Sequence, residues 1–425
     1  MRYFVIILTG IATSFFFFSF EFRFLPGINT KMMMAVVGLL FAGWQALIRK
    51  DSSVSQTFFV ISLIAAVFSF VSFFSVWYND SNDFAYVTYI ISMWVWFFAA
   101  YGACSIIAQT HHAISVKLVV DYLVAISFFQ CVIALMIDNI PAVKMFVDNY
   151  INTNAEVMDK IKRLYGIGAS LDVAGGKFSA VLLMISVIMS NYDFIRLNKK
   201  SVAFYSGCFI IISVIGAMIA RTTYVGMILG MAYIVYRTGI WKRQIKYSDL
   251  RFWRVMIGIL FVLVLVCIYF YNNSPGFREW FRFGFEGFVS LVETGEWRSS
   301  STEILQSMVV FPDSLKTWII GDGYMADPIT GTYYKVTDIG YLRFIFYCGI
   351  IGLSVFASMF VYLAASCYKT YPVEKHLFLL LLVLVFAIWA KVSTDIFLVF
   401  AIFVCIPRVQ QHGYIPMNRF EDQQL

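Results

Sequence analysis

Residues 201–236 read SVAFYSGCFIIISVIGAMIARTTYVGMILGMAYIVY, two apolar runs that meet at a single charged residue, Arg221. As α-helices, the windows 201–220 and 222–240 are each long enough to cross about 30 Å of hydrocarbon. The connection between them is almost absent, so Arg221 is predicted to lie in or near the membrane, at the turn of a helix hairpin. This stretch therefore predicts a helical membrane fold.

The composition of the whole chain agrees with this prediction. Of its 425 residues, 60% are hydrophobic and 13% are charged, whereas a soluble domain carries about 25% charged residues. The mean hydropathy of +0.78 also excludes an ordinary soluble protein. The apolar runs are continuous and do not alternate as in a membrane barrel. We therefore predict an all-α polytopic membrane protein.

Hydropathy predicts about twelve transmembrane helices. The first follows a basic start, but its run is too long for a signal peptide and no small-x-small cleavage site follows it, so it is predicted to stay uncleaved. The windows are 3–20, 32–48, 57–77, 84–108, 115–138, 174–190, 201–220, 222–240, 255–271, 338–366, 376–391 and 393–407.

The distribution of basic residues predicts the orientation. Every even-numbered gap between windows is basic: Arg49 and Lys50, Lys117, then Arg196, Lys199 and Lys200, then Arg237, Lys242, Arg243, Lys246, Arg251 and Arg254, then Lys369 and Lys375, and finally Arg408 and Arg419. Because Lys and Arg accumulate on the cytoplasmic side, both termini are predicted to be cytoplasmic. The net charge of +7 follows from the same rule and needs no nucleic-acid partner.

The windows divide the chain into six parts. These are an N-terminal bundle of five spans at 1–138, an outer loop at 139–173, spans six to nine at 174–271, a large outer loop at 272–337, spans ten to twelve at 338–407 and a cytoplasmic tail at 408–425. The large loop holds eight acidic and five basic residues. Loops of this length inside a membrane domain are usually functional.

The start of the large loop, residues 276–288, has aromatic residues at roughly helical spacing with charges between them. This pattern is typical of a helix lying at the outer interface. It also fits a frayed end of span nine, and the sequence leaves both interpretations open.

Three arginines on the predicted outer side are candidates for function. Arg221 could be a snorkelling residue that marks a helix end, but ionisable groups at membrane depth are functional candidates by default. It also begins span eight, and a helix N-terminus together with a guanidinium forms an anion site. Arg298 and Arg163, each in an outer loop, could equally be solvated charges.

Further motifs follow Arg298 along the chain. The apolar segment 318–320 is predicted to be strand-like and ends in a turn with Gly321 and Gly323. Asp338 precedes the long apolar run of span ten, where it could act as a proton acceptor or as a helix N-cap.

These motifs, in this order, resemble the O-antigen polymerase and O-antigen ligase superfamily, GT-C-like glycosyltransferases of the bacterial envelope. The resemblance covers about residues 160–410. The matching positions are Ala220-Arg221-Thr222, the segment 295–304 around Arg298, Gly321 and Gly323, Asp338, Tyr341-Leu342 and 349–353, and Tyr165-Gly166-Ile167-Gly168 with Asp172.

The resemblance implies an enzyme of the bacterial inner membrane whose active site faces the periplasm. Its substrates would be oligosaccharides linked to undecaprenyl diphosphate, as donor and acceptor, and a chain-length regulator and a flippase would be partner proteins. Arg221 and Arg298, with Arg163, would bind the diphosphate, because arginines at the leaving group stabilise the transition state. Asp338 would accept the proton of the incoming hydroxyl.

The remaining implied residues shape the site: Tyr165, Gly321, Gly323 and Tyr341. Transfer is predicted to need no metal and no cofactor, because the acidic residues of the large loop are scattered and no cysteine pair has C-x-x-C spacing. The resemblance implies inversion at the anomeric carbon. The membrane lipids are the other expected partner.

Two alternatives stay open. A ligase that transfers the glycan to lipid A core would usually carry a histidine in the last loop motif, where this chain has Thr337-Asp338. A flippase or other transporter should have charges along several spans, and here Asp121, Lys391 and Asp395 lie near span ends. The sequence therefore favours the polymerase.

Overall fold

The structure is a computed structural model that describes residues 2–49, 55–153, 163–192, 198–239 and 247–411. These ranges are helical, with four isolated β-bridges and no β-strand. The helices are α1 Arg2–Phe17, α2 Thr30–Arg49, α3 Gln56–Tyr78, α4 Tyr89–His111, α5 Val116–Asn139, α6 Pro141–Tyr150, α7 Leu171–Asn191, α8 Lys199–Ile219, α9 Thr223–Thr238, α10 Tyr247–Asn273, α11 Pro275–Gly284, α12 Glu286–Thr294, α13 Ser300–Ser307, α14 Leu315–Ile319, α15 Gly340–Thr370, α16 Lys375–Trp389 and α17 Phe397–Gln411.

The predicted all-α fold is confirmed. Within the described ranges, eight helices are long and apolar enough to cross a membrane: α2, α3, α4, α5, α7, α8, α10 and α15. The apolar helices α1, α16 and α17 are shorter, and α9 has 16 residues. Each of the twelve hydropathy windows thus coincides with one helix. The predicted tail at 408–425 begins inside α17, and residues 412–425 lie outside the described residues.

The connections of the helix bundle meet at two opposite ends. At one end, which we call the Arg221 end, the backbone N–H of Arg23 donates to Tyr150 (2.9 Å), the Ser81 hydroxyl donates to Gly323 (2.7 Å) and Arg221 donates to Phe283 in the last turn of α11 (2.9 Å). At the other end, the His376 end, Asn191 donates to the carbonyl of Val373 (2.8 Å) and Gln410 donates to that of Ile114 (2.7 Å).

Helices α7 and α9 pack unusually closely, and this contact sets the position of Arg221. A Cβ added at Gly226 would collide with the backbone of Ser179 on α7, and one added at Gly230 would meet Ser186 at 2.5 Å. The Ser179 hydroxyl donates to the carbonyl of Thr222 (2.9 Å), the residue after Arg221. Small residues four apart allow such an approach in membrane helices.

The large loop docks onto a break in helix α15. Its backbone is non-helical at Cys348 and Gly349, where Gly349 has φ +66°, a conformation that favours glycine. A Cβ at Gly349 would collide with the carbonyl of Ile319 at the end of α14. The strand-like prediction for 318–320 is therefore wrong: α14 is a single helical turn, because Ser314 caps it by accepting from the N–H of Thr317 (3.1 Å).

The aromatic segment at the start of the large loop forms a helix of its own. Helix α11 follows α10 after a break at Ser274, whose hydroxyl accepts from the N–H of Phe277 (3.3 Å). The rings of Phe281 and Phe285 stack with centroids 4.5 Å apart, and Trp280 donates to Asp138 at the end of α5 (3.1 Å). The separate cap favours the interfacial helix over a frayed end of span nine.

Candidate functional site

Arg221 lies in the tight turn between α8 and α9, and its side chain is only 11% exposed. Its Nε donates to the carbonyl of Phe283 (2.9 Å), and the guanidinium lies over the ring of the same residue at 4.2 Å. One Nη pairs with Glu286 (2.6 Å), and the other donates to Ser301 (2.7 Å). The large loop therefore folds over this arginine and holds its guanidinium at a fixed place.

Arg163 approaches the same aromatic ring. Its guanidinium carbon lies 4.9 Å from the Phe283 centroid, and among the described residues no acceptor reaches its buried Nε. Burial lowers the pKa of the Arg221 guanidinium, Glu286 opposes this shift, and the positive charge of Arg163 adds to it. Arg221 pairs with Glu286 and Arg163 lies beside it as a second cation, and this local concentration of positive charge attracts an anion.

A cavity of about 340 Å³ opens beside Arg221 between helices α11 and α12. It is lined by Arg221, Arg282, Phe283, Glu286, Val289, Ser290, Glu293, Thr294 and Ser300. Arg282 forms a bidentate salt bridge with Glu293 (both contacts 2.9 Å). Glu286 accepts a hydrogen bond from the Ser300 hydroxyl (2.9 Å). The cavity thus combines paired charges with hydroxyl groups, as a site for a polar or charged ligand requires.

Asp172, Thr222 and Lys391 form a second charged group next to Arg221. Lys391 Nζ lies 2.6 Å from the Asp172 carboxylate and donates to the Thr222 hydroxyl (3.2 Å), and this hydroxyl donates to Asp172. The three residues come from the start of α7, the turn before α9 and the end of α16. Their contacts therefore join three helices at the Arg221 end.

Asp338 pairs with Arg343 one turn into helix α15, at 2.9 Å. The guanidinium of Arg343 lies 4.7 Å from the centroid of Tyr333, which also hydrogen-bonds Asp338. Burial raises the pKa of the Asp338 carboxyl above its ordinary value, and Arg343 opposes this shift. The N-cap of α15 is Ile339, without a side-chain cap bond, so the capping interpretation of Asp338 is wrong.

Electrostatic interactions connect these groups across one surface. Asp338 interacts with Asp172, Asp172 with Arg163, and Arg163 with Arg221. Three segments that the sequence singled out, around Arg163, Arg221 and Asp338, therefore come together although they are far apart in the chain. Helix α16 brings them together, because it packs against α7, α9 and α15.

Arg298 is placed differently. Its guanidinium pairs with Glu296 (2.6 Å), and its side chain is 67% exposed. In the described part of the chain it shares no hydrogen-bond or ion-pair partner with Arg221. The residues of this segment that contact Arg221 are the following serines, Ser300 and Ser301.

The four shaping residues make structural contacts. Tyr165 is buried and donates to Asp148 on α6 (3.2 Å). Tyr341 donates to the carbonyl of Phe386 on α16 (2.9 Å). Gly321 and Gly323 both have positive φ, and the Gly323 N–H donates to Tyr347 at the break in α15 (3.1 Å). These residues fix the loops that carry the site.

Sequence reasoning missed two partners of the site. Glu286, the ion-pair partner of Arg221, is one of eight acidic residues scattered along the large loop, and no motif in the sequence distinguishes it from the others. Lys391, the partner of Asp172, stood out as a charge near a span end, but its partner lies 219 positions away. The Gly226-x-x-x-Gly230 spacing was a readable signal of close helix packing.

Comparison of the chain with protein-family models, with curated proteins and with solved structures gives no match.

Proposed function

We propose that this chain is a membrane glycosyltransferase that polymerises lipid-linked oligosaccharides, moving a glycan from one polyprenyl diphosphate carrier onto a second lipid-linked repeat unit. The observation that carries the proposal is the buried Arg221 guanidinium. With Arg163 it flanks Phe283, beside a polar cavity and on the same surface as Asp338.

The proposed topology has twelve spans, both termini in the cytoplasm and the Arg221 end in the periplasm of a bacterial inner membrane. Two observations support it. The odd-numbered connections contact one another at the Arg221 end. This is expected when consecutive spans cross the membrane in alternating directions, because every second connection then lies on the same side. The even-numbered gaps carry the excess of Lys and Arg that is typical of the cytoplasmic side.

In the proposed reaction, the oxygen of an acceptor hydroxyl attacks the anomeric carbon of the donor sugar. The bond between this carbon and the phosphate oxygen breaks, and the lipid diphosphate leaves with the electron pair. Arg221 and Arg163 stabilise the negative charge that develops on it. Arg298 contributes a further cation on the segment that carries Ser300 and Ser301.

Asp338 accepts the proton of the attacking hydroxyl in this scheme. A carboxyl whose pKa is raised by burial is a stronger base than an exposed aspartate. Attack from the face opposite the diphosphate inverts the anomeric centre.

The placement of other charged groups favours this proposal over the ligase and the transporter. The described histidines are His111, His112 and His376. His111 hydrogen-bonds Tyr122 (2.8 Å), His112 follows it at the end of α4, and His376 contacts Tyr233 (3.3 Å). All three lie at the end opposite Arg221, where none could serve as the catalytic histidine of a ligase. The described charges of the apolar helices gather at the two ends, as with Lys117 and Asp121 (2.6 Å). They form no path through the bundle of the kind that a transporter uses.

The proposal is tested with purified full-length chain in lipid nanodiscs, supplied only with a purified lipid-linked repeat unit. We expect a ladder of glycan lengths, and Arg221→Ala should reduce its rate about 10²- to 10³-fold. The matched control is Arg278→Ala, because Arg278 is an exposed arginine of the same loop outside the cavity. Glycan transfer that occurs only after addition of lipid A core would identify a ligase, and no glycan transfer with either acceptor would refute the enzyme proposal.

A further inference from the structure

A second cationic group lies at the Arg221 end, around the ring of Trp96 on helix α4. Lys31, at the start of α2, has its ammonium 4.6 Å from the Trp96 centroid. Lys177, on α7, has its ammonium 5.9 Å from the same centroid and 5.4 Å from that of Phe18. The proposed reaction uses neither lysine.

Lys177 is buried, with only 3% of its surface exposed. In the part of the chain that the structure describes, neither its ammonium nor that of Lys31 forms an ion pair or a hydrogen bond. Asp395 is the acid that acts on Lys31 electrostatically, but it lies beyond ion-pair distance, and its carboxylate accepts from the N–H of Phe397 (2.9 Å). Among the described residues, the two ammonium groups therefore have no carboxylate at ion-pair distance.

The cation–π contacts do not offset the free-energy cost of burying an ammonium group that has no counter-ion. A cation–π contact contributes about 0.5–2 kcal/mol, whereas burial of an unpaired charge costs at least several kcal/mol. The charges of Lys31 and Lys177 also repel each other. An anion between the two ammonium groups would supply the counter-charge that the protein side chains do not.

We infer that Lys31 and Lys177 form a binding site for a phosphate or diphosphate group. Lys31 lies in the first turn of α2 and Lys177 in the second turn of α7, so two separate helices hold the two ammonium groups around Trp96. Lys31 is half-buried and gives the anion a way in from the surface.

This site is separate from the cavity beside Arg221, because its cations surround Trp96 and those of the cavity surround Phe283. In an enzyme that handles two lipid diphosphates, it would hold the diphosphate of the acceptor while Arg221 holds that of the donor. This last assignment rests on the proposed function; the anion site itself does not.

The test measures binding, not activity, in an Arg221→Ala background that weakens the first site. Inorganic diphosphate is titrated into the full-length chain in detergent by calorimetry, and in a second arm the chain is placed in nanodiscs that contain a polyprenyl phosphate. We expect Lys177→Met or Lys31→Met to weaken diphosphate affinity about ten- to a hundredfold. Lys335→Met removes the same charge from an exposed position of the large loop and should leave the affinity unchanged.

Binding of inorganic diphosphate that depends on both lysines supports a site open to free anions, and lysine-dependent binding in the nanodisc arm alone supports a lipid head group. Equal affinity of the Lys31→Met, Lys177→Met and Lys335→Met variants in both arms would overturn the proposal. If Lys177→Met fails to fold, the Lys31→Met variant alone tests the anion site, because a substitution at this half-buried helix start is easier to accommodate. Lysine-dependent binding without any glycan ladder would refute the proposed function and leave this site standing.

Discussion

At the scale of single residues, the chemistry of the site depends on how charges are buried and paired. Arg221 is held by one carboxylate and by hydroxyl and carbonyl oxygens, with Arg163 nearby. Asp338 has Arg343 as its cation and is itself half-buried. Each group is therefore at least partly buried and has an oppositely charged partner within hydrogen-bond distance.

The pairing of Asp338 with Arg343 predicts a pH dependence. Burial raises the pKa of Asp338 and Arg343 lowers it, so removal of the guanidinium in Arg343→Met raises the pKa further. Because the base acts in its deprotonated form, we expect activity to be lost on acidification at a higher pH in this variant than in the wild type. The rate of ladder formation, measured over the acidic range, gives the midpoint.

Two further variants serve as controls for this pH measurement. Asp338→Asn should lose about 10²- to 10⁴-fold in rate at every pH, as expected for removal of a general base. Lys335→Met, which removes a positive charge elsewhere in the loop, should leave the midpoint in place. An unchanged midpoint in Arg343→Met would show that Asp338 is not the titrating base.

At the scale of elements, the contact between α7 and α9 decides where Arg221 can lie. The Gly226 backbone touches Ser179 so closely that a methyl group has no room, and the same serine binds the carbonyl of Thr222. The break at Gly349 acts similarly for the large loop, because α14 reaches α15 only where the helix opens. At Gly226 and at Gly349, the missing side chain allows the backbones of two segments to come into direct contact.

We expect Gly226→Ala to destabilise the protein by about 1–3 kcal/mol, because overpacking forces two helices apart. Thermal unfolding in detergent, followed by tryptophan fluorescence, measures the loss. Gly207→Ala is the matched control, since Gly207 on α8 has no atom within 4 Å of an added Cβ. There the same change should be neutral or stabilising by up to about 1 kcal/mol. Equal unfolding temperatures for the two variants would contradict the close-packing argument.

At the scale of the whole molecule, the bundle has two chemically different ends. The Arg221 end carries the large loop, the cavity and both cationic groups. The His376 end carries the described histidines together with the basic connections. In the proposed topology, the site at the Arg221 end faces a single compartment.

The proposed orientation is tested by labelling single cysteines in intact cells with a membrane-impermeant maleimide. Ile329→Cys, at a position 92% exposed in the large loop, should react from outside. Lys369→Cys, at the exposed end of α15 on the opposite side, should react only after permeabilisation. The chain without either substitution is the control, since six of its seven cysteines are buried. The reverse pattern would invert the proposed topology.

The sequence by itself determined the helical class and the position of each apolar helix, because hydropathy and helix length are local properties of the chain. It also predicted that Arg221 is exceptional, because a charge between two spans is costly wherever the chain folds. What sequence could not determine is which distant groups meet. Glu286 is an ordinary charge in the sequence, and neither its contact with Arg221 nor that of Lys391 with Asp172 can be read from the chain.

The tertiary structure also decided between interpretations that the sequence left open. Whether Asp338 is the N-cap of α15 depends on where this helix begins; the cap is Ile339, and Asp338 pairs with Arg343. The sequence offered both Arg298 and Arg221 as diphosphate-binding candidates, yet Arg298 is exposed and Arg221 is enclosed. The physical reason is the same in each case. Local pattern sets the elements, whereas burial and charge pairing arise between residues far apart in the chain, and only the folded chain brings these together.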